Sequence, residues 1–181
     1  MLREKACELA KTIHEGHIRK SSGESYFDAH LQPVAELLAG AGCDELTIAV
    51  GYLHDSVEDR GGPETEERID ALDKRILPLV LQLSENKEGT WDERKQSVIS
   101  HIPNMDPRAA AVKAADVLSN LLGLVETGKN NPNIWDKFKV GREKSLWFYH
   151  ECITALHYRG DVPVALLSGL SVVYRFVEEE I

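Results

Sequence analysis

The run Gly51-Tyr-Leu-His54-Asp55-Ser-Val-Glu58-Asp59-Arg60 packs one imidazole and three carboxylates into six residues, directly after an apolar stretch. Carboxylates that close repel one another unless a cation stands between them. On a continuous helix, positions i and i+4 share a face, which would stack His54 under Glu58 and Asp55 under Asp59. A divalent metal at the His-Asp end would remove the conflict and leave the Glu-Asp end free for proton chemistry. Two further polar groups interrupt apolar helical patterns, His30 and Asp116. Together, His30, His54, Asp55 and Asp116 make a mixed nitrogen and oxygen donor set suited to Mn²⁺, Fe²⁺, Co²⁺ or Zn²⁺, with positions left for water and substrate. The spacing is 54 − 30 = 24 residues, then 116 − 55 = 61.

These groups need elements to hold them. Leu2, Ala6, Leu9, Ala10 and Ile13 recur at helical spacing and predict an amphipathic helix that ends near Gly16. The polar, aperiodic segment from Arg19-Lys20 to Tyr26 reads as a surface loop, either an ordinary solvated turn or an anion-binding one. His30 opens a second helical segment, with Pro33 near its start. Asp44 caps a third, expected from Glu45 to about Val57, so that the charged run ends a single buried helix. Gly61-Gly62-Pro63 breaks the chain, and a charged helix follows that bends towards Pro78 and Leu83. A helix over 91–101 and a long Ala- and Leu-rich helix from Asp106-Pro107 to about Val125 come next. Lys113, Asp116 and Asn120 put a polar face on that otherwise apolar helix, which is either an internal hydrogen-bond set or part of a site. A helix from Ile134 to about Tyr158, with an interruption at Gly141, and a final one beginning at Asp161 and Pro163 complete the chain. His150 and His157 on the former have no acidic neighbours at ligand spacing. No stretch alternates like a strand. The expectation is all-α, a single domain over 1–181 forming a bundle of about seven to nine helices, with 134–181 completing the core.

Composition narrows the function. At 181 residues, with 30 Asp and Glu against 21 Lys and Arg, the formal charge is −9. That balance argues against nonspecific nucleic-acid or membrane partners, while an anionic small molecule would need a local cationic pocket or a metal. Cys7, Cys43 and Cys152 are scattered without a CxxC, as in a reducing, cytoplasmic setting. No apolar run is long enough for a membrane span, and acidic residues occupy the place of a signal peptide. Oligomeric state is left open, a homodimer included.

The order His, His-Asp, Asp resembles the HD superfamily of metal-dependent phosphohydrolases. The run Ala10-Lys-Thr-Ile-His14-Glu-Gly16-His-Ile-Arg19-Lys20-Ser-Ser-Gly23-Glu24-Ser-Tyr26-Phe-Asp-Ala-His30, continued by Leu53-His54-Asp55-Ser-Val-Glu58-Asp59, is similar to the hydrolase domain of RelA/SpoT proteins and of free-standing small alarmone hydrolases. Glu93-Arg94-Lys95 and Lys113-Ala-Ala-Asp116-Val-Leu-Ser-Asn120 resemble that family's ERK and K-x-A-D-x-x-x-N segments, so the likeness covers roughly residues 5–125. The resemblance implies that His30, His54, Asp55 and Asp116 hold one Mn²⁺ or another divalent transition metal. It implies that Glu58 and Asp59 position and deprotonate the attacking water and manage the leaving-group proton, as a carboxylate one turn from a metal can. Arg19, Lys20 and Lys113 would face phosphates, and Asn120 the sugar-phosphate. The implied reaction releases pyrophosphate from the ribose 3′ position of (p)ppGpp, giving GDP or GTP, by a chain too short to add a synthetase domain.

The sequence departs from that pattern in several places. His17 stands where Gln is usual, Ser25 where Pro is common, Leu31-Gln-Pro33 displaces a His-Pro pair, and Val117 replaces a frequent Arg. Ser84-Glu-Asn-Lys87 only loosely matches an acidic loop near the base. These changes spare the metal set and bear on nucleotide choice. Two alternatives therefore stand beside the first reading: an HD phosphohydrolase of a nucleoside monophosphate or phosphorylated dinucleotide, and a non-catalytic nucleotide or metal sensor. Intact Glu58 and Asp59 speak against the sensor, which needs ligands but no acid-base pair.

Overall fold

A computed structural model of the chain describes residues 1–19, 22–129 and 131–181, so Lys20 of the cationic pair lies outside the described residues. The protein is all-α: among the described residues the one β feature is an isolated antiparallel bridge between Ile18 and Ser25. The helices are α1 (Leu2–Ile13), α2 (Gln32–Gly40), α3 (Glu45–Leu53), α4 (Ser56–Arg60), α5 (Pro63–Leu72), α6 (Ile76–Leu83), α7 (Trp91–His101), α8 (Pro107–Gly128), α9 (Gly141–Arg159) and α10 (Val164–Glu180). α3 and α4 are the two halves of one expected helix.

Local signals explain most boundaries. Asp44 caps α3, its Oδ1 accepting from the Thr47 amide at 2.8 Å. Thr90 and Glu93 make a reciprocal capping box at α7. The Asp106 side chain caps α8 through the Arg108 amide, with Pro107 in the first turn. The expected helix over 134–158 begins as a 3₁₀ turn at Ile134–Lys137, and α9 starts only at Gly141, whose φ is +73°. Likewise the bent segment after Pro63 separates into α5 and α6, because Asp73 is extended and the side chain of Arg75 folds back onto it.

α8 is the central strut. Ala109, Ala110, Ala114 and Ala115 are fully buried on it, and their small side chains let α2, α3 and α10 pack closely around it. α1 covers α3 through Ala6 and Ala10. The α2–α3 contact depends on Gly51: a Cβ there would lie 2.5 Å from Leu38 Cδ1, so glycine sets the approach of the two helices that adjoin His30 and His54.

Candidate functional site

The charged run does not continue α3 as one helix. α3 ends at Leu53, His54 and Asp55 form a turn, and α4 resumes at Ser56. The expected i, i+4 stacking of His54 under Glu58 on an unbroken helix is therefore corrected. His54 Nδ1 donates to the Gly51 carbonyl at 2.8 Å, the acceptor that a continuing helix would offer to the Asp55 amide. Asp55 sits at φ −94°, ψ −2°, and its carbonyl accepts from the Asp59 amide at 2.9 Å. The kink turns the His-Asp pair inward and Glu58 and Asp59 towards a cavity rim.

His30 arrives by a second irregularity. Phe27–Leu31 is a π-helical turn, closed by the Gln32 amide donating to the Phe27 carbonyl, and leads into α2. Pro33 has no N–H to offer the Ala29 carbonyl four residues earlier. Arg19 fills that gap, its Nη1 donating to Ala29 O. The extra residue in the turn aims His30 at α8, with Nδ1 3.1 Å from Ser119 Oγ.

His30, His54, Asp55 and Asp116 converge. Asp55 Oδ2 lies 3.1 Å from His54 Nε2 and 3.4 Å from His30 Nε2, and Asp116 Oδ1 lies 3.4 Å from His30 Nε2 and 4.0 Å from His54 Nε2. Both imidazoles are buried. Because a carbonyl only accepts, His54 carries a hydrogen on Nδ1, and its buried Nε2 has no hydrogen-bond partner. A buried nitrogen without a partner, facing two carboxylates, asks for a cation. The titration behaviour agrees. Burial opposes charge on His54 most strongly, yet the Asp55 and Asp116 carboxylates and the Gly51 carbonyl together outweigh it and carry the ring up to about 9. Burial likewise pushes Asp55 and Asp116 up, and their cationic neighbours, chiefly His54 for Asp55 and Lys113 for Asp116, hold both below the usual carboxylate range. The donor set thus fits a divalent ion, which would stand where the metal-free cluster draws in a proton.

Glu58 and Asp59 flank this cluster. Glu58 Oε2 accepts from the Glu85 amide at 2.9 Å, and Lys87 Nζ donates to the Glu58 carbonyl at 2.6 Å. Burial first, and then the Asp55 charge, raises the proton affinity of both Glu58 and Asp59 from that of a free carboxylate. Glu58 faces a cavity of about 460 Å³ that the four converging residues also line. Asp59 faces a neighbouring cavity of about 370 Å³ with His17 and Arg19. The two share Tyr26, Asn120, Lys137, Phe138 and Tyr149, so the acid pair sits on either side of a divided cleft.

The HD domain family matches residues 6–138. The chain belongs to the HD-domain family. Over 127 residues it is 33% identical to a GTP pyrophosphokinase rsh of Brucella ovis, a match covering 63% of this chain and 16% of that protein. It is 34% identical over 122 residues to a GTP pyrophosphokinase of Streptomyces coelicolor, covering 65% of this chain and 14% of the relative. The chain thus spans about a sixth of the length of the curated relatives it matches. Among solved structures, a Listeria monocytogenes EGD-e protein superposes with a TM-score of 0.70 at 27% identity, over 83% of this chain and 94% of that one. A metazoan orthologue of SpoT, described as hydrolysing ppGpp, superposes with a TM-score of 0.78 at 23% identity, over 96% and 94% of the two chains, and shares the fold.

In this HD domain the expected substrate cations are engaged with the site itself. Arg19 Nη2 donates to Asn120 Oδ1 at 2.9 Å, and Asn120 Nδ2 donates to Asp116 Oδ1 at 2.7 Å. Lys113 Nζ pairs with Asp116 Oδ2 at 2.9 Å, and its side chain is largely buried. Two residues that sequence reasoning passed over join the set. Tyr26 donates its hydroxyl to Asp55 Oδ2 at 2.6 Å, lies flat on His17 with ring centroids 4.2 Å apart, and meets His30 edge-on at 5.3 Å. Its one signal was an aromatic residue four positions before His30, in a loop otherwise polar. Glu85 holds Glu58 by its amide while its carboxylate takes Arg94 at 3.1 Å and Lys95 at 2.5 Å, which ties the Glu93-Arg94-Lys95 segment to the acid pair.

Proposed function

We propose that this HD domain is a metal-dependent pyrophosphohydrolase that releases pyrophosphate from the ribose 3′ position of guanosine 3′-pyrophosphates, giving GDP from ppGpp and GTP from pppGpp, in the cytoplasm. The observation that carries the reading is the convergence of two buried imidazoles and two carboxylates beside a second carboxylate pair of raised proton affinity. His30, His54, Asp55 and Asp116 would hold the ion, Mn²⁺ by resemblance. A bound ion of this kind lowers the pKa of its water and neutralises phosphate charge. Glu58 and Asp59 then do the proton work: one accepts the proton of the attacking water, and the other returns a proton to the 3′ oxygen as its bond to phosphorus breaks. Arg19 and Asn120 orient the nucleotide from the cavity they share. Lys113 keeps Asp116 ionised, so the donor set is poised without a proton to displace from that carboxylate. The 84–87 loop and Val117 depart from the RelA/SpoT pattern and support a second reading, the same chemistry on another nucleotide. The test is pyrophosphate and phosphate release from a panel of ppGpp, pppGpp, nucleoside monophosphates and phosphorylated dinucleotides with added Mn²⁺. Turnover of ppGpp is expected; no turnover by metal-loaded protein overturns the first reading, and turnover confined to another nucleotide selects the second.

A further inference from the structure

We infer that His14, His17 and Asp59 form a second divalent-cation site, distinct from the His30, His54, Asp55 and Asp116 cluster. One ligand atom from each lies within 4.8 Å of the other two. The two imidazole Nδ1 atoms are 3.2 Å apart, and His17 Nδ1 is 3.9 Å from Asp59 Oδ2. Donors around one first-row ion, bound at about 2.0–2.2 Å each, stand roughly 3–4 Å from one another. The same range spans the first cluster.

The metal-free arrangement shows how an ion would enter. Two Nδ1 atoms that face each other at hydrogen-bond distance share one hydrogen, so one ring already presents a lone pair there. The other ring needs only to move its hydrogen to the far nitrogen, a tautomer change that releases no proton. For His14 an acceptor is in place: Nε2 lies 3.4 Å from the oxygen of buried Ser56. The rings of the first cluster have the same support, His54 on the Gly51 carbonyl and His30 on Ser119. Outer partners of this kind fix which nitrogen faces a metal. Tyr26 adds orientation, lying near-parallel to His17 at 4.2 Å and to His14 at 5.5 Å.

His14 is buried, while His17 and Asp59 keep 25% and 29% of their side-chain surface and open onto the 370 Å³ cavity, which gives the ion an entry path. Two imidazoles and one carboxylate favour Zn²⁺, Co²⁺ or Ni²⁺ over Mg²⁺ or Ca²⁺ and leave at least one position for water or an anion. His17 is also a departure: the RelA/SpoT pattern usually has Gln there, which offers no imidazole lone pair. The site belongs to this chain's own residues and stands whichever nucleotide the HD domain takes; with the ion bound, Asp59 is a ligand and the proton work falls to Glu58.

The test is metal stoichiometry. Chelator-stripped full-length protein is dialysed against Co²⁺ and against Zn²⁺, bound metal is quantified, and the visible absorption of the Co²⁺ form is recorded. Wild type should bind two equivalents, and His17→Gln and Asp59→Asn one each, with the Co²⁺ spectrum of the variants lacking one component. Melting curves report whether each variant is folded, and either variant suffices. Two equivalents retained by folded His17→Gln and Asp59→Asn overturn the inference. One equivalent in wild type, kept by His17→Gln, overturns it and leaves the four-residue cluster standing. One equivalent in wild type, absent from folded His17→Gln, upholds this site and overturns the other.

Discussion

Tyr26→Phe removes one hydroxyl and little else. The lost bond is a 2.6 Å O–H···O contact to Asp55 Oδ2, the carboxylate oxygen that also lies 3.1 Å and 3.4 Å from the two buried imidazoles. A hydrogen bond to a charged acceptor contributes about 1.5–3 kcal/mol. At roughly 1.4 kcal/mol per decade that is about a 10- to 100-fold change in an equilibrium constant, the same span seen when an outer partner of a metal ligand is removed. A bound ion already draws on the Asp55 charge, so the lower end, about 10-fold, is the expected loss of affinity. Phenylalanine keeps the ring against His17, and the fold should hold. Isothermal titration of stripped protein with Mn²⁺ gives the constant for the first cluster, and a melting curve checks the fold. A folded Tyr26→Phe whose Mn²⁺ affinity stays within about twofold of wild type would refute the idea that Tyr26 holds Asp55 as a ligand.

Three other outcomes follow from the geometry. Glu58→Gln should lower kcat by about 10²- to 10⁴-fold while bound metal stays the same; turnover near the wild-type level would remove Glu58 from the proton chemistry. Gly51→Ala should destabilise by about 1–3 kcal/mol in urea unfolding, because the new Cβ meets buried Leu38 at 2.5 Å between the two helices that adjoin the imidazoles, and a neutral result would show that α2 and α3 can separate freely. Asp44→Ala should cost about 1 kcal/mol from the lost cap, with at most about another 1 kcal/mol from the exposed Arg108 pair. Chiefly through Arg108, with the Thr47 hydrogen bonds and against the opposing effect of burial, the Asp44 carboxyl is held down to about 2. Its folded pKa is thus below the unfolded value of about 3.9, so its contribution is complete above that value and is lost as pH falls towards 2. The difference between wild type and variant should therefore close on acidification; a constant difference from pH 7 to pH 2.5 would contradict the assignment.

What could be read from the chain, and what could not, divides along local and nonlocal causes. Capping residues and Pro and Gly positions are local, so α7 and α8 stand where Thr90, Asp106 and Pro107 place them. The gathering of His30, His54, Asp55 and Asp116 was legible because each is a polar residue on an apolar helical face, and buried polar groups need partners. The break at His54-Asp55 was not legible from propensity: nothing in Leu53-His54-Asp55-Ser56 forbids a helix, and the kink goes with a side chain bonding to the Gly51 carbonyl. The π-helical turn at Phe27–Leu31 was hidden for a similar reason, since its carbonyl at Ala29 is served by Arg19 from another part of the chain. Tyr26 and Glu85 escaped notice because their partners, Asp55 and Glu58, are 29 and 27 residues away.

The position of Lys113 changes how the site balances charge. The family resemblance implies that it offers a cation to the substrate. Its ammonium instead meets Asp116 Oδ2 at 2.9 Å, inside the same cavity. Two carboxylates and one ammonium sum to one negative charge in excess once the imidazoles are neutral, as they are when they bind a metal. A dication turns that excess into one positive charge, buried against low-dielectric walls where it acts strongly. On the function proposed above, that charge would let a pyrophosphate group enter a protein whose formal charge is −9. Without Lys113 the same ion would only neutralise its ligands. On that reading the lysine would act on an anionic substrate by leaving the dication a surplus of charge, which makes substrate affinity, more than metal affinity, the quantity that should fall in Lys113→Met.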